Sequence, residues 1–461
     1  MASNSSFRLS LNKDPIFDLG LLRVLSLSVY DGGDINDVLV AASSIVPGDF
    51  NSYAGAFAGL AGRVFERAKA VVQSGFPFSA RTAFFSAATY FRSAEFLLHG
   101  NPADPRLGPL WDSQIEAFDH GLALLKPPGR RVTINTPDFD IPAIWITPSG
   151  EKKKRPTIIT GFGYDNTQEE LYHLIGLAAL ERGYNVLSYE GPGQPAVLRK
   201  QKLGFIHDWE RVVTPVMDYA LGQKDVVDPS SVGLVGFSLG GYLAPRAAAF
   251  DHRFAAIMAL DGVWDFGSII KNTFGPDLIK VYAAGDRAKF DSPPESTPTI
   301  STRTTQSPTV NIKSSTIHAP SFLRWGLEQG LWAFNTRSPF DLVTRSANFS
   351  LEGVVHKIKT PVFVGEAEQD PFYAGEARRL ASRLGKWAHL HEFKAKDAIG
   401  THSAIGALKQ QNQVVLDWFQ RTISERGKYR GKRGPEPGPE PGQSSTRSRR
   451  HSSPRFDGGT G

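Results

Sequence analysis

The feature that most constrains the fold is a change of apolar periodicity at Arg131. Downstream, the chain contains the apolar runs PTIITGFG, YNVLSYEGPG, VGLVGFSLGG, AAIMALDGV and TPVFVGEAEQD. Helix-length stretches such as TQEELYHLIGLAALERG and WERVVTPVMDYALGQ separate the early ones. Such runs are typical of strands buried on both faces, and their alternation with helices predicts a parallel sheet with crossover connections. We therefore expect an α/β fold whose functional residues follow the carboxyl ends of the strands.

The segment before this sheet predicts a helical domain. YAGAFAGLAGRVFERAKAVVQSG, ARTAFFSAATYFRSAEFLLHG and LWDSQIEAFDHGLALL carry apolar residues at helical spacing, and the first two end in glycine. RVTINT and PAIWIT then alternate like two strands joined by a turn. We expect a helical N-terminal domain over 1–130, a core over 131–267 and 359–425, and a cap inserted at 268–358.

Two segments have the composition of unfolded chain. The stretch 289–320 inside the cap is crowded with Ser, Thr and Pro, and the tail 426–461 is rich in Pro, Gly, Ser and Arg. Nine basic and three acidic residues in the tail account for the whole net charge of +6. Because the excess charge belongs to a predicted disordered tail and not to a folded surface, we expect no nucleic-acid partner.

Cysteine is absent from the chain, which excludes disulfides, thiolate metal sites and cysteine nucleophiles. The first residues, MASNSSFRLSLNKDPIFDLG, lack the basic patch and apolar run of a secretory signal. No stretch approaches the roughly 18 consecutive apolar residues of a membrane-spanning helix. These features predict a cytoplasmic protein without a membrane partner.

The sequence GFSLG around Ser238 is the strongest local signal of chemistry. It has the Gly-x-Ser-x-Gly form, follows the strand-like VGLVG and precedes the helix-like GYLAPRAAAF. A serine on such a turn is held above the sheet, and the glycines at 236 and 240 leave room for the chain segments that pack against the turn. The following helix directs its positive end at developing negative charge. We predict that Ser238 is a nucleophile and not a filler residue of a glycine-rich bend.

A nucleophilic serine needs a base and an acid that orients the base. In this kind of fold the acid and then the histidine follow the serine in the chain. Asp370 comes just after the strand-like PVFVG, and His402 opens the final predicted helix after another strand-like stretch. Glu366 and Glu368 share the loop of Asp370, but Asp370 is farthest from the strand and next to proline. We predict Asp370 as the acid and His402 as the base.

The other histidines are less suited to be the base. His389 and His391 lie inside a predicted strand, and His318 falls in the Ser/Thr/Pro-rich stretch. His173 lies on the helix after the first central strand, close enough to line the site but wrongly placed to serve as its base.

An acyl-transfer serine also needs two N–H donors for the oxyanion. One donor is normally the residue after the nucleophile, which is Leu239 here. The other comes from the loop TGFGYDNTQEE after an earlier strand. We predict the backbone N–H of Tyr164 as the second donor, with Gly163 allowing a close approach.

The same loop raises a rival interpretation, a dinucleotide-binding βαβ unit. TGFGYDN follows a strand, and the next strand ends in Glu190. However, Asn166 occupies the third glycine position, and two carboxylates in TQEE stand where a pyrophosphate would approach. A nucleotide site would also leave Ser238, Asp370 and His402 unexplained, so we expect no cofactor.

Metal binding has equally little support, because no pair of histidines has ligand spacing on one predicted element. We expect no metal. Asp261 and Asp265 follow the strand-like AAIMAL and could point into the pocket. Loop and helix-cap roles are the preferred interpretation for both.

With these residues in place, the chain resembles the serine α/β-hydrolases of fungal secondary-metabolite clusters, which include polyketide-shortening pigment hydrolases and hydrolases encoded beside polyketide–peptide hybrid synthases. The resemblance covers most of 60–420 and is carried by SARTAFFSAATYFRSAEFLL, GFGYDNTQEELYH, YEGPGQ, GFSLGGYLAPRAAAF, GEAEQDPFYAGEA and GTHSAIGAL. It implies an α/β-hydrolase fold and a Ser238–His402–Asp370 triad. Relatives more often have Glu before this histidine and Cys after it, so the surroundings of His402 differ here.

The resemblance also implies a function in mycotoxin or pigment biosynthesis. The bond cut would be an ester, a thioester or a C–C bond next to a ketone, and the substrate a polyketide-type small molecule. We expect the cap and the N-terminal domain to enclose an apolar pocket, with Phe and Trp of SFLRWGLEQGLWAFNTRSPF in its wall. A non-hydrolytic role in cyclisation, dehydration or product release stays open, and so does a homodimer. The stretch 289–320 is either a lid extension or intron-derived sequence.

Overall fold

The structure is a computed structural model that describes residues 10–292 and 320–433. Its centre is an eight-stranded sheet with the strand order β1-β2-β4-β3-β5-β6-β7-β8. The pairs β1–β2 and β2–β4 are antiparallel, and every later pair is parallel. The strands are β1 (Arg130–Asn135), β2 (Asp140–Ile146), β3 (Arg155–Gly161), β4 (Asn185–Tyr189), β5 (Val227–Phe237), β6 (Ala256–Leu260), β7 (Val362–Ala367) and β8 (Ala388–Phe393).

The register of the parallel strands brings their carboxyl ends to one edge. Gly161 of β3 is level with Gly236 of β5, and Phe237 is level with Leu260 of β6. All five residues of β4 and of β6 are buried, as expected of strands covered on both faces. The loops that follow β3, β5, β6 and β7 therefore meet above the middle of the sheet, where a site is expected.

The segment before the sheet folds into helices that pack on one another. Helix α3 packs along α4, and α4 packs along α5, with an apolar interface that includes Phe57, Phe84 and Phe118. The side chains of Asp14, Asp34 and Asp49 cap the first three helices and accept N–H groups of their first turns. These helices are α1 (Pro15–Leu27), α2 (Ile35–Ser43), α3 (Phe50–Gln73), α4 (Pro77–Glu95) and α5 (Leu107–Ala123).

Crossover helices and the cap complete the described chain. Between β3 and β6 lie α6 (Leu177–Glu181), α7 (Pro195–Gln201), α8 (Glu210–Gly222) and α9 (Gly240–Ala248). The cap helices after β6 are α10 (Phe266–Thr273), α11 (Pro276–Ala283), α12 (Arg287–Asp291), α13 (Pro320–Ala333) and α14 (Pro339–Ser346). The last helices are α15 (Glu376–Leu384), between β7 and β8, and α16 (Leu408–Arg433).

The boundaries differ from the predicted ones at three places. Helix α12 runs to Asp291, inside the predicted low-complexity stretch, and the remaining part of that stretch up to 319 lies outside the described residues. Helix α16 continues to Arg433, past the predicted start of the tail, and 434–461 lie outside the described residues. His402 does not open the final helix, because a separate 3-10 turn (His402–Ala404) precedes α16.

Among residues 10–292 and 320–433, no helix is long and apolar enough to cross a bilayer.

Candidate active site

Ser238 lies on a tight turn between β5 and α9, at the edge where the carboxyl ends of the strands meet. Its φ angle is 56°, a left-handed conformation that a non-glycine residue adopts at a cost. The Ser238 N–H donates to the carbonyl of Leu260 at 3.1 Å, which ties the turn to β6. A Cβ at Gly236 would overlap the backbone of Gly240, so the turn needs glycine there. The local geometry has the form of a nucleophile elbow.

His402 connects Ser238 to a carboxylate. Its Nε2 lies 3.1 Å from Ser238 Oγ, and its Nδ1 lies 2.9 Å from Asp370 Oδ2. All three residues are buried. The structure thus brings the three residues predicted from the sequence into one hydrogen-bonded chain, with 164 residues separating the serine from the histidine.

The loop after β7 directs Asp370, and not its neighbouring carboxylates, at His402. Asp370 Oδ1 accepts the N–H groups of Phe372 and Tyr373 at 2.8 and 3.1 Å, which leaves Oδ2 directed at His402. Glu366 pairs with an arginine side chain of α15 instead, and Glu368 accepts the N–H of Ala395. The two competing carboxylates of this loop are therefore engaged elsewhere.

Asp261 brings a second carboxylate to the same imidazole. It follows β6, and its Oδ2 lies 3.5 Å from His402 Nδ1. Its carboxylate accepts the N–H of Ser403 at 2.9 Å and also the Ser403 hydroxyl. The preferred prediction of loop and helix-cap roles did not include this contact of Asp261 with the imidazole. Asp265 does cap α10, because it accepts the N–H of Ser268 at 2.9 Å.

The two carboxylates change the acid–base properties of His402. Burial of the imidazole disfavours its protonation, but the charges of Asp261 and Asp370 and the hydrogen bond to Asp370 outweigh burial and raise the His402 pKa to about 9. Burial also raises the pKa of Asp261, and the nearby charge of Asp370 acts in the same direction. The imidazole is therefore predominantly protonated at neutral pH while Ser238 is unreacted.

The other predicted histidines are not at the site. His173 is buried beneath the N-terminal helices, where its Nδ1 lies 2.7 Å from the Tyr30 carbonyl, and burial lowers its pKa to about 4. It does not line the cavity described below, contrary to the expectation. His389 and His391 lie in β8, as expected. His318 lies outside the described residues.

The loop that carries Tyr164 touches the elbow at Leu239. A Cβ on Gly163 would come within 2.5 Å of Leu239 N, so the glycine permits the β3 loop to touch the elbow. Two residues of α13 hold Tyr164 in place. Its carbonyl accepts a hydrogen bond from Gln329 Nε2 at 2.8 Å, and its hydroxyl donates to the Gly326 carbonyl at 2.9 Å. Within the described ranges, neither the Leu239 N–H nor the Tyr164 N–H has a hydrogen-bond acceptor. Both N–H groups are thus free for a ligand.

A mostly apolar cavity opens onto Ser238 and His402. The N-terminal helix α1 and the cap helices α10 and α13 provide about half of its lining residues, as expected of a pocket between these parts. Phe322 and Trp325 of the predicted aromatic segment line it, whereas Trp332 stacks on His99 away from it. Its other apolar residues include Ile16, Leu19, Phe96, Phe162, Phe266, Ile269, Ile270, Phe274, Leu342, Phe372 and Ile405.

A buried charge network closes the cavity behind the β3 loop. Arg23 of α1 contacts Asp165 at 2.8 Å and Glu170 at 3.0 Å, and Arg92 of α4 contacts Glu170 at 3.2 Å. Glu190, the acid required by the dinucleotide interpretation, accepts the N–H groups of Gln168 and Ala196. These carboxylates hold the loop to its neighbours.

Two carboxylates of the site and His402 also lie as close together as metal ligands do. Asp261, Asp370 and His402 place ligand atoms within 4.8 Å of one another, an arrangement that sequence spacing did not reveal. His402 directs Nδ1 at both carboxylates and Nε2 at Ser238. The imidazole and the two carboxylates thus already contact one another, and the remaining imidazole nitrogen faces the serine.

Fold and site together define the class of protein. The family model described as the alpha/beta hydrolase family matches residues 158–398, which is more than half of the chain. The chain belongs to the alpha/beta hydrolase family. The fold predicted from the sequence is confirmed.

Individual hydrolases and one solved structure are similar to this chain over most of its length. It is 31% identical to Hydrolase LUC6 of a Fusarium species over 89% of this chain and 97% of that protein. It is 29% identical to 20-hydroxy-prefusarin hydrolase FUS2 of Gibberella moniliformis over 88% and 96% of the two chains. The resemblance to hydrolases of fungal secondary metabolism, and with it the hydrolase class, is confirmed. The crystal structure of 2,6-dihydroxy-pseudo-oxynicotine hydrolase superposes with a TM-score of 0.64 and 18% identity, covering 87% of this chain and 95% of that one, which shows a shared fold.

Proposed function

We propose that the chain is a serine hydrolase that acts on an ester, a thioester or a ketone-adjacent C–C bond of a polyketide-type metabolite. The observation that carries this proposal is the chain of hydrogen bonds from Ser238 through His402 to Asp370 at the end of an apolar cavity. Asp370 holds the imidazole by Nδ1, so Nε2 in the neutral form is the atom that accepts the serine proton.

The reaction runs in two halves. His402 Nε2 takes the Ser238 proton while Oγ attacks the substrate carbonyl, and the N–H groups of Leu239 and Tyr164 bind the resulting oxyanion. Collapse of this intermediate breaks the bond to the leaving group, which receives the proton from His402. Water, activated by the same imidazole, then hydrolyses the acyl-serine and regenerates the free enzyme.

The lining of the cavity and the relatives both support the proposed substrate class. Aromatic and aliphatic side chains line most of the cavity, which favours a small molecule with an extended apolar part. One relative is called a 20-hydroxy-prefusarin hydrolase and comes from a fungus. A polyketide-type substrate supplied by a biosynthetic assembly fits both observations.

Hydrolysis of p-nitrophenyl hexanoate tests this proposal with a minimal apolar acyl group. Ser238→Ala is expected to lower kcat at least about 10³-fold because it removes the nucleophile. Ser86→Ala is the matched control, since Ser86 is also buried but lies on α4 and donates to the Thr82 carbonyl. Equal activity of Ser238→Ala and the wild type would contradict the proposal.

A second candidate function is acid–base catalysis of cyclisation or dehydration without an acyl-enzyme. It is favoured by the two carboxylates that raise the His402 pKa to about 9, because they make the imidazolium available as an acid. In that case Ser238→Ala would retain turnover of the natural biosynthetic intermediate, whereas His402→Ala would lose it. The first candidate predicts that both variants lose it.

A further inference from the structure

The side chain of Tyr373 places a buried hydroxyl group beside Ser238. This hydroxyl takes no part in the triad. It follows β7 by six residues and lines the same cavity as Ser238 and His402. Its backbone N–H donates to Asp370 Oδ1 at 3.1 Å. The carboxylate that orients His402 therefore also fixes the backbone from which the Tyr373 side chain projects.

The Tyr373 hydroxyl is available for a ligand. It lies 3.5 Å from Ser238 Oγ, well beyond the usual 2.7–2.8 Å of an O–H···O hydrogen bond. It has no other hydrogen-bond partner among the described residues. A substrate oxygen bound between the two hydroxyl groups would give Tyr373 a closer acceptor than Ser238 does.

Tyr373 keeps its proton in the pH range of the reaction, so its hydroxyl can donate a hydrogen bond there. Burial raises its pKa well above the ordinary tyrosine value, and the hydrogen bond with Ser238 opposes this only in part. The charges of Asp370 and Asp261 raise the pKa further. The phenol therefore keeps its proton while a neighbouring oxygen becomes negative.

The position of Tyr373 relative to His402 indicates which substrate oxygen it would meet. The two ring centroids are 5.5 Å apart, and the Tyr373 hydroxyl and His402 Nε2 lie 3.5 and 3.1 Å from the same Ser238 Oγ. In a serine hydrolase the imidazole delivers its proton to the leaving group, so the departing atom comes close to both side chains. The oxyanion is assigned to the N–H groups of Leu239 and Tyr164 instead.

We propose that the Tyr373 hydroxyl donates a hydrogen bond to the oxygen of the departing group, as a catalytic residue of the proposed hydrolysis. In an ester this is the alkoxide oxygen, and in a 1,3-dicarbonyl compound it is the ketone oxygen that becomes an enolate when the C–C bond breaks. The electron pair of the broken bond goes to the departing group, and the proton comes from His402. Tyr373 keeps its own proton and stabilises the charge before that transfer. This inference rests on the proposed serine mechanism.

The test compares two hexanoate esters that share the acyl group. p-Nitrophenolate leaves readily without help, whereas methoxide needs stabilisation. Tyr373→Phe keeps the ring and removes the hydroxyl. We expect kcat/KM for the methyl ester to fall about 10- to 100-fold and kcat/KM for the p-nitrophenyl ester to change less than about 3-fold. Tyr184→Phe is the matched control, because the Tyr184 hydroxyl is also buried and has no partner among the described residues.

The outcomes separate this inference from the proposal on which it rests. Equal losses of kcat/KM for both esters would mean that the Tyr373 hydroxyl contacts the oxyanion or has a structural role. Unchanged kcat/KM for both esters would mean that the hydroxyl takes no part in the reaction. Either result overturns the assignment of Tyr373 while Ser238 still reacts with a fluorophosphonate. If wild-type Ser238 does not react, the serine mechanism itself fails, and the assignment fails with it.

Discussion

Replacement of Asp261 by asparagine tests the electrostatics of the site most sharply. The change removes one of two negative charges next to His402 Nδ1 and leaves the hydrogen bond to Asp370 in place. An asparagine side chain has nearly the same shape and can still accept from Ser403. The expected consequence is a lower His402 pKa, because the protonated imidazole loses a partner.

The size of the effect follows from two distances. With an effective dielectric constant of about 20, Coulomb's law gives about 5 kcal/mol for a charge pair at the 3.5 Å from Asp261 and about 6 kcal/mol at the 2.9 Å from Asp370. The two carboxylates contribute comparably, and together they outweigh burial and raise the His402 pKa to about 9. At about 1.36 kcal/mol per pKa unit, about 5 kcal/mol corresponds to roughly three units, so removing the charge of Asp261 should lower the His402 pKa by up to about three units.

The assay is the dependence of kcat/KM on pH for an activated ester. The base must be neutral, so the wild-type rate should rise with pH and reach half of its plateau near pH 9. The Asp261→Asn profile should have the same form with its midpoint moved toward neutral pH. Asp265→Asn is the control, since Asp265 caps α10. An unchanged midpoint in Asp261→Asn would refute the two-carboxylate account.

Three further predictions concern the oxyanion donors, the cavity and stability. Gly163→Ala should lower kcat/KM about 100-fold in steady-state kinetics, because the added Cβ would displace Leu239 N. Gly62→Ala on α3 is the control: the added Cβ meets open space there, so kcat/KM should stay unchanged. Trp325→Ala should raise KM for long-chain esters and lower the free energy of unfolding by about 3–5 kcal/mol, measured with urea. Because the His402 pKa is raised to about 9, the protonated imidazole should add about 3 kcal/mol to the free energy of unfolding below about pH 6.5. This contribution should be lost as pH rises through about 9, and the loss should be smaller in Asp261→Asn.

The elbow and the order of the triad could be predicted because their signals are local. Ser238 has its strand, glycines and helix within a dozen residues, so periodicity and spacing are sufficient. Asp370 and His402 each follow a strand-like stretch in the order that the fold requires. The aromatic segment of α13 could be predicted as cavity wall because it carries several Phe and Trp side chains within the predicted cap.

The parts that could not be predicted depend on contacts between distant segments. Asp261 follows a strand like many loop residues, and only the adjacency of β6 and β7 brings it to the imidazole that Asp370 orients. Tyr373 reaches Ser238 because Asp370 accepts its N–H, a turn that sequence does not specify. Helix α1 lines the cavity through Ile16 and Leu19, although its periodicity gives no sign of a ligand.

The measurement that tests the central claim most directly is labelling with a fluorophosphonate, followed by mass spectrometry of the peptide that contains Ser238. The account predicts one labelled serine in the wild type, no label at that position in Ser238→Ala, and much slower labelling in His402→Ala. The Ser86→Ala control should label like the wild type. A folded wild-type protein that stays unlabelled, or one labelled equally fast without His402, would contradict the claim that this histidine activates Ser238.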